Sequence, residues 1–297
     1  MGDTLKWTSA SLEAFPDLSW NQGKDGPGSS AVTPAVAATF NSNGDPDKVW
    51  CVFRGAGADL SMYAATYTSL PGWQGNWQIS GGQLTYESPA LTAFPQADPF
   101  CVYRGTDNGF YATKSTDGHT WTYHHPPYWN FTGPALATYK GRLWCVYTSY
   151  SDKKLYCVST SNDQDWGISH PLNVETEKAT ALIAFKGRLW CMYQGAGDVL
   201  YVTTSADGVT WSPPASTGQS SDCAPALTWE PSNDALICVY GNTKDKSSFN
   251  YMCTTVDDPK NWTAPKPIGN GNLRASGDGA GIAYYNNSIY CVYRGNQ

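Results

Sequence analysis

One short phrase recurs six times along the chain and limits what the chain can become. An aromatic or apolar residue, a Cys, a Val or Met, an aromatic and a polar residue follow one another as "WCVFRG" at Cys51, "FCVYRG" at Cys101 and "WCVYTS" at Cys145. They return as "WCMYQG" at Cys191, "ICVYGN" at Cys238 and "YCVYRG" at Cys291, so that copies lie 44 to 53 residues apart. Six matches in register indicate one structural unit used repeatedly. Each phrase follows a run of small residues ("TPAVAATF", "GPALATY", "ATALIAF") and precedes a second alternating run ("GFYATKST", "KLYCVSTS", "VLYVTTS") that leads to a turn and a Trp. Alternation of this kind marks strands. Four strands, here a to d, in roughly 45 residues is the arithmetic of a propeller blade.

The sixth copy stops after strand b, in "CVYRGNQ", and the missing half stands at the other end of the chain. "GDTLKWTSASLEAFPDLSW" (Gly2–Trp20) lines up with "GDVLYVTTSADGVTW" (Gly197–Trp211). The N-terminus thus supplies strands c and d of the last blade, and the C-terminus supplies a and b. The prediction is an all-β, six-bladed β-propeller of four-stranded blades, a single domain over 1–297, its last blade closed by N- and C-terminal strands with no long exposed edge. A β-helix repeat would be shorter, and two sandwiches would not leave complementary half-units at the termini. The alanine-rich strand a belongs innermost, where six sheets crowd around an axis.

Composition agrees. Thirteen Trp, 19 Tyr, 29 Gly and 19 Pro in 297 residues favour strands and turns over helices. A net charge of −6 gives no basic face for a nucleic-acid backbone, and no apolar run reaches the ~20 residues of a membrane span. The N-terminus lacks a basic start followed by an apolar stretch, so the expectation is a cytoplasmic protein, acting on foreign cell surfaces if released. Nine cysteines are an odd number, six of them at the repeated position, which points to buried thiols. Pairing of Cys145 with Cys157 and of Cys238 with Cys253 across hairpins is the alternative. The four His show no metal-ligand spacing, so neither metal nor cofactor is expected.

Two of the c–d turns, "STDGHTW" (Ser115–Trp121) and "SADGVTW" (Ser205–Trp211), resemble the Asp-box of sialidase-type propellers; "SNDQDW" (Ser161–Trp166) is a degraded version. The resemblance implies a structural role for Asp117, Asp163 and Asp207, each capping backbone N–H groups while the following Trp packs between sheets. Asp-boxes occur in glycosidases and in non-enzymatic sugar binders alike. Six near-equal blades look more like the propeller lectins of fungi and bacteria. That likeness implies monosaccharide pockets between adjacent blades, for fucose or an N-acetylhexosamine.

Strand b runs antiparallel to a, so the b–c and d–a connections share one rim. After strand b come Arg54, Arg104, Thr148, Gln194, Gly241 and Arg294; before strand a come Glu87, Glu177, Asp222 and Asp278. Planar polar groups beside aromatics suit a sugar, whose hydroxyls pair with them while its C–H face stacks on a ring. Trp73 and Trp129, with Tyr128, His124 and His125 near them, are candidate platforms. The candidate carbohydrate-binding set is therefore Arg54, Glu87, Arg104, Glu177, Gln194, Asp222, Asp278, Arg294, Trp73 and Trp129, with no catalytic residue. The same Arg and acidic residues have a second reading as ion pairs between sheets.

The expected function is a multivalent lectin with glycans or glycoproteins as partners; formation of a homodimer is left open. The alternatives are a sialidase-like glycoside hydrolase and a protein-interaction scaffold. The hydrolase family clasps a carboxylate with arginines from non-equivalent loops. Here Arg54, Arg104 and Arg294 occupy one slot of adjacent blades and are expected to form an arc.

Overall fold

The computed structural model describes residues 3–21, 23–94, 98–126, 132–269, 273 and 277–295. Six antiparallel sheets stand in a ring. Blade 1 comprises Ala35–Phe40, Pro46–Arg54, Met62–Thr68 and Gly72–Gln78. Blade 2 comprises Ala90–Ala93, Pro99–Arg104, Phe110–Ser115 and Trp121–His124. Blade 3 follows with Ala135–Tyr139, Arg142–Thr148, Lys154–Thr160 and His170–Glu175. Blade 4 has Ala181–Phe185, Arg188–Gln194, Val199–Ser205 and Ala215–Ser220. Blade 5 has Ala226–Glu230, Ala235–Gly241, Phe249–Thr254 and a short outer strand, Lys266–Pro267.

Blade 6 is built from both ends of the chain. Ala280–Tyr285 and Ser288–Arg294 are its inner strands, and Asp3–Ala14 pairs with the latter from Leu5 opposite Arg294 to Ser11 opposite Ser288. Two segments cover the outer edge of Asp3–Ala14: Asp17–Trp20 near one end and Lys24–Ser30 near the other. The inner strands of successive blades lie against one another around the circle, blade 6 against blade 1 included. Six blades and closure by the termini are as the repeat predicts.

The repeated phrase explains how the blades interlock. Successive strand residues face opposite sides. Trp50 and Val52 of blade 1 therefore face one way and meet Cys101 and Tyr103 of blade 2. Cys51 and Phe53 face the other way and meet Tyr290 and Val292 of blade 6. The same exchange recurs at the four other interfaces, for example Trp190 and Met192 against Cys238 and Tyr240. The cysteine is the small apolar residue opposite a large ring. All six repeat cysteines are 0% exposed. All nine cysteines are free thiols, so neither hairpin pairing forms. Burial pushes the six repeat thiols up, so they stay protonated and unreactive. Each buried Val, Leu, Ile or Phe contributes about 1.5–3 kcal/mol, so stability is shared over six similar interfaces rather than vested in one core.

The c–d turns insert into these interfaces. In blade 2, Asp117 Oδ1 accepts from the backbone N–H groups of His119 and Thr120, both within 2.8 Å, and Ser115 Oγ accepts from Gly118. Blade 4 repeats this with Asp207, Val209, Thr210, Ser205 and Gly208. Blade 3 corrects the expectation for Asp163. There Asn162 Oδ1 accepts from Gln164 and Asp165 N–H, while Asp163 sits one residue on, at the glycine position, with φ +61°. Its carboxylate instead accepts from Lys114 of blade 2. A Cβ on Gly208 would lie 1.8 Å from the Trp144 ring, and one on Gly118 would lie 2.7 Å from Trp50. In the corresponding place, blade 2 presents the smaller Phe100 to blade 3, so a residue larger than glycine is accommodated.

Candidate functional site

The inner strands open onto the axis. Their second apolar positions, Val36, Leu91, Leu136, Leu182, Leu227 and Ile282, each lie opposite a repeat cysteine and together line an axial cavity of about 640 Å³ with Trp229 and Tyr284. Towards the rim of the b–c and d–a connections the lining turns polar. A second cavity of about 400 Å³ is lined there by residues of all six blades, among them Thr33, Glu87, Arg104, Thr132, Glu177, Gln194, Asp222 and Asp278. Residues from six blades can share one cavity only at the axis.

Six of the ten residues singled out from sequence thus converge on one axial mouth, where an arc of separate inter-blade pockets was expected. The arginines are anchored at the same rim. Arg104 Nη1 donates to Glu87 Oε1 at 3.1 Å and its Nε to Asn108 Oδ1 at 3.0 Å. Arg294 Nη1 donates to Asp278 Oδ2 at 2.6 Å. Arg54 donates to the carbonyls of Tyr86 and Gly57, both at 3.1 Å. The two ion pairs join strand b to the d–a connection of the same blade, not neighbouring sheets. Gln194 is 2% exposed; its Nε2 donates to the Ser221 carbonyl, and its Oε1 has no hydrogen-bond partner. Trp73 stands near the c–d turn at the far rim, its ring 5.4 Å from Tyr67 in the blade 6–blade 1 packing. It is therefore placed away from both the axial mouth and the b–c rim. Trp129, like Tyr128, lies outside the described residues.

A second cleft lies between blades 1 and 2 on the same rim. It holds about 370 Å³ and is lined by Gly81–Leu84 on one side and by Tyr103, Gly105–Asp107, Tyr111 and Tyr123 on the other. Asp107 Oδ2 accepts from the Tyr111 hydroxyl at 2.7 Å, and Oδ1 accepts from Gly109 N–H at 2.9 Å. The Tyr111 hydroxyl holds the Asp107 carboxyl below the usual carboxylate range, partial desolvation opposes this, and the Gly109 N–H reinforces it. In return the Tyr111 hydroxyl is pushed up to about 12. The Tyr111 ring is sandwiched: Tyr103 stacks at 5.5 Å, and His125 stacks at 4.3 Å with planes 10° apart. Gly105 makes room for it, since a Cβ there would lie 2.3 Å from the ring.

This Asp–Tyr clamp is repeated. Asp59 binds the Tyr63 hydroxyl at 2.8 Å in blade 1, and Asp152 binds that of Tyr156 at 2.9 Å in blade 3. Stacked rings accompany it in Phe53–Tyr63 and Tyr147–Tyr156, and in blade 4 the stack survives as Tyr193–Tyr201. The candidate list missed these residues, although Asp four places before Tyr in "DLSMY", "DNGFY" and "DKKLY" is a visible pattern. Among the described residues no three His, Cys, Asp or Glu side chains are grouped so as to hold a metal ion.

Residues 130–273 match the model of the DUF6242 beta propeller domain. No curated protein matches the sequence. Among solved structures, the chain is similar to a variant of the lectin of Aleuria aurantia in complex with Fucalpha1-6GlcNAc, at 14% identity and TM-score 0.67 over 88% of this chain and 87% of that one. It is similar to the BP39L lectin of Burkholderia pseudomallei, at 14% identity and TM-score 0.63 over 85% and 74% of the two chains. AofleA of Arthrobotrys oligospora superposes at 13% identity and TM-score 0.63 over 88% and 79%. By architecture, then, the chain is a six-bladed β-propeller of the form that these proteins share.

Proposed function

We propose that the protein is a multivalent lectin that takes a monosaccharide or terminal glycan residue, of fucose or N-acetylhexosamine type, in the clefts between blades. The observation that carries this reading is the Asp–Tyr clamp beside stacked rings, repeated at one place in blades 1, 2 and 3. An ionised carboxylate accepts sugar hydroxyls, and the exposed Tyr123 ring that lines the blade 2 cleft offers apolar surface to sugar C–H groups. Similarity in fold to the fucose-specific lectin of Aleuria aurantia supports it. Several weak sites on one rigid disc raise avidity on a glycan-coated surface far above the affinity of any one of them.

A hydrolase needs two carboxyls free to act as acid and base or nucleophile. Glu87 and Asp278 are each held by an arginine, which favours binding over turnover. Fluorescently labelled protein on a glycan array tests the proposal. Retention of fucosylated or N-acetylhexosamine-terminated glycans is expected, with more than one sugar bound per chain in titration. Tyr111→Phe, which keeps the stacked ring and removes the hydroxyl that holds Asp107, should weaken one class of site without unfolding the chain. Turnover of a fluorogenic glycoside, without glycan retention, would overturn the reading in favour of a hydrolase.

A further inference from the structure

Taken at every second residue, the inner strands line the larger axial cavity in two tiers. The first tier is aliphatic all round, from Val36 in blade 1 to Ile282 in blade 6. The second tier, two residues on, divides the ring. Blades 5 and 6 place Trp229 and Tyr284 there, while blades 2 and 3, directly across the axis, place Ala93 and Thr138. Gly44 and Pro231, in a–b turns, also line the cavity, so it reaches that rim, and Trp229 stands in the mouth 45% exposed. The polar groups of the wall are spent within the protein. Trp229 Nε1 donates to Asp234 Oδ1 at 3.0 Å, and the Tyr284 hydroxyl donates to Asn287 Oδ1 at 3.0 Å. Thr138 Oγ1 donates to the Ala93 carbonyl at 2.8 Å, and Thr228 Oγ1 accepts from the Tyr284 N–H at 3.1 Å. Asp234 also accepts from Lys186, which fixes the anchor of the indole. Among the described residues that line the cavity, none is charged. Water finds few partners against such a wall, and a ligand gains there by burying apolar area.

We propose that this cavity, at its a–b end, is a site for one small apolar molecule built around a flat ring. The ring lies against Trp229 and Tyr284 and fills the space that Ala93 and Thr138 leave open across the axis. The volume, about 640 Å³, falls within the ~300–1,000 Å³ of small-molecule pockets. Aromatic rings gain from offset or edge contact beyond the area they bury, so this wall favours a flat aromatic body over a saturated one of equal size. The inter-blade clefts lie at the opposite rim, and the axial site does not depend on their binding sugar.

Fluorescence titration of the full chain with N-phenyl-1-naphthylamine, an uncharged probe that brightens in apolar surroundings, tests the assignment. One equivalent is expected to bind. 2-Naphthol should displace it at a concentration at least fivefold lower than its saturated twin, decahydro-2-naphthol. Trp229→Ala, at an exposed ring that the fold does not need, should weaken probe binding fivefold or more. Ala93→Phe, which fills the space across the axis, should weaken it as much, and Trp229→Ala carries the test alone if that variant misfolds. Tyr111→Phe should leave probe binding unchanged, whatever it does to glycans. Absence of probe binding, equal displacement by the two alcohols, or binding that ignores Trp229→Ala overturns the proposal. Loss of probe binding in Tyr111→Phe overturns it too, by placing the probe between blades.

Discussion

Blade 2 and blade 4 carry the same four strands and the same buried pair, Cys101 with Tyr103 and Cys191 with Tyr193, yet their rims differ. Blade 2 ends strand b in Arg104, tied to Glu87, and its b–c loop clamps Tyr111 with Asp107. Blade 4 ends strand b in the buried Gln194, and its loop moves the aspartate one place, to Asp198 in "GDVLY". Residues that face the neighbouring blades are held constant by close packing, because each large ring must find its small partner. Residues at the last ladder pair, such as Arg104 opposite Phe110 and Gln194 opposite Leu200, and in the loops beyond it escape that constraint. The scaffold repeats, and the chemistry of its rim varies from blade to blade.

The largest effect expected on this comparison falls at the c–d turns. Gly208→Ala puts a Cβ at φ +74° and 1.8 Å from the Trp144 ring. Overpacking together with the left-handed backbone should cost roughly 3 kcal/mol in urea unfolding. Asp163→Gly, at the matching place in blade 3, relieves the left-handed backbone but removes the Lys114 contact, so it should cost clearly less than Gly208→Ala; equal costs at the two sites would show that the turns are not set by the ring opposite. Asp207→Ala removes the acceptor for two backbone N–H groups. By analogy with helix caps it should cost about 1 kcal/mol, read from the same unfolding curves. Arg104→Gln writes the blade 4 residue into blade 2. It strips Glu87 of its partner, which is 41% exposed, so roughly 0.5–1 kcal/mol should be lost. A larger loss would mean that the bond from Arg104 to Asn108 in the b–c loop outweighs the ion pair.

The smallest effect is one of pH. The carboxyls of Asp117 and Asp207 are drawn down to about 2, first by the N–H groups of Thr120 and Thr210 and then by those of His119 and Val209. The folded values lie below the unfolded one of about 4. Their contribution is therefore complete above pH ~4 and is lost as the pH falls towards 2. Asn162 holds the blade 3 turn without titrating. The double variant Asp117→Asn, Asp207→Asn should thus approach the wild-type melting temperature as the pH drops from 4 to 2. A gap that stays constant would remove the carboxylates from the acid response.

Much of this was legible beforehand. Periodicity revealed the blades, and the complementary half-units revealed the closure, because both are statements about order along the chain. Radius is not. The order of Glu87, Glu177, Asp222 and Asp278 around a rim says nothing of their distance from the axis, and all four meet in one cavity. Trp73 shows a related limit: an aromatic in a loop-like stretch is equally suited to packing, and here it packs. "SNDQDW" offers two acidic residues for one turn. Only alignment on Trp166 shows that Asn162 is the cap and that Asp163 has taken the place of a glycine.

Pairing of Asp3–Ala14 with Ser288–Arg294 also sets a timetable for synthesis. The first strand leaves the ribosome long before its partner exists, by roughly 15–60 s at 5–20 residues per second. Throughout that wait one of its hydrogen-bonding edges has no native neighbour, and a stray strand or a chaperone could occupy it. The five internal blades can form as they emerge, from neighbours in sequence, whereas the sixth depends on the most distant contacts in the molecule, which form late because so long a loop must close. A nascent chain halted a few residues early would be an open, sticky arc rather than a slightly shorter wheel.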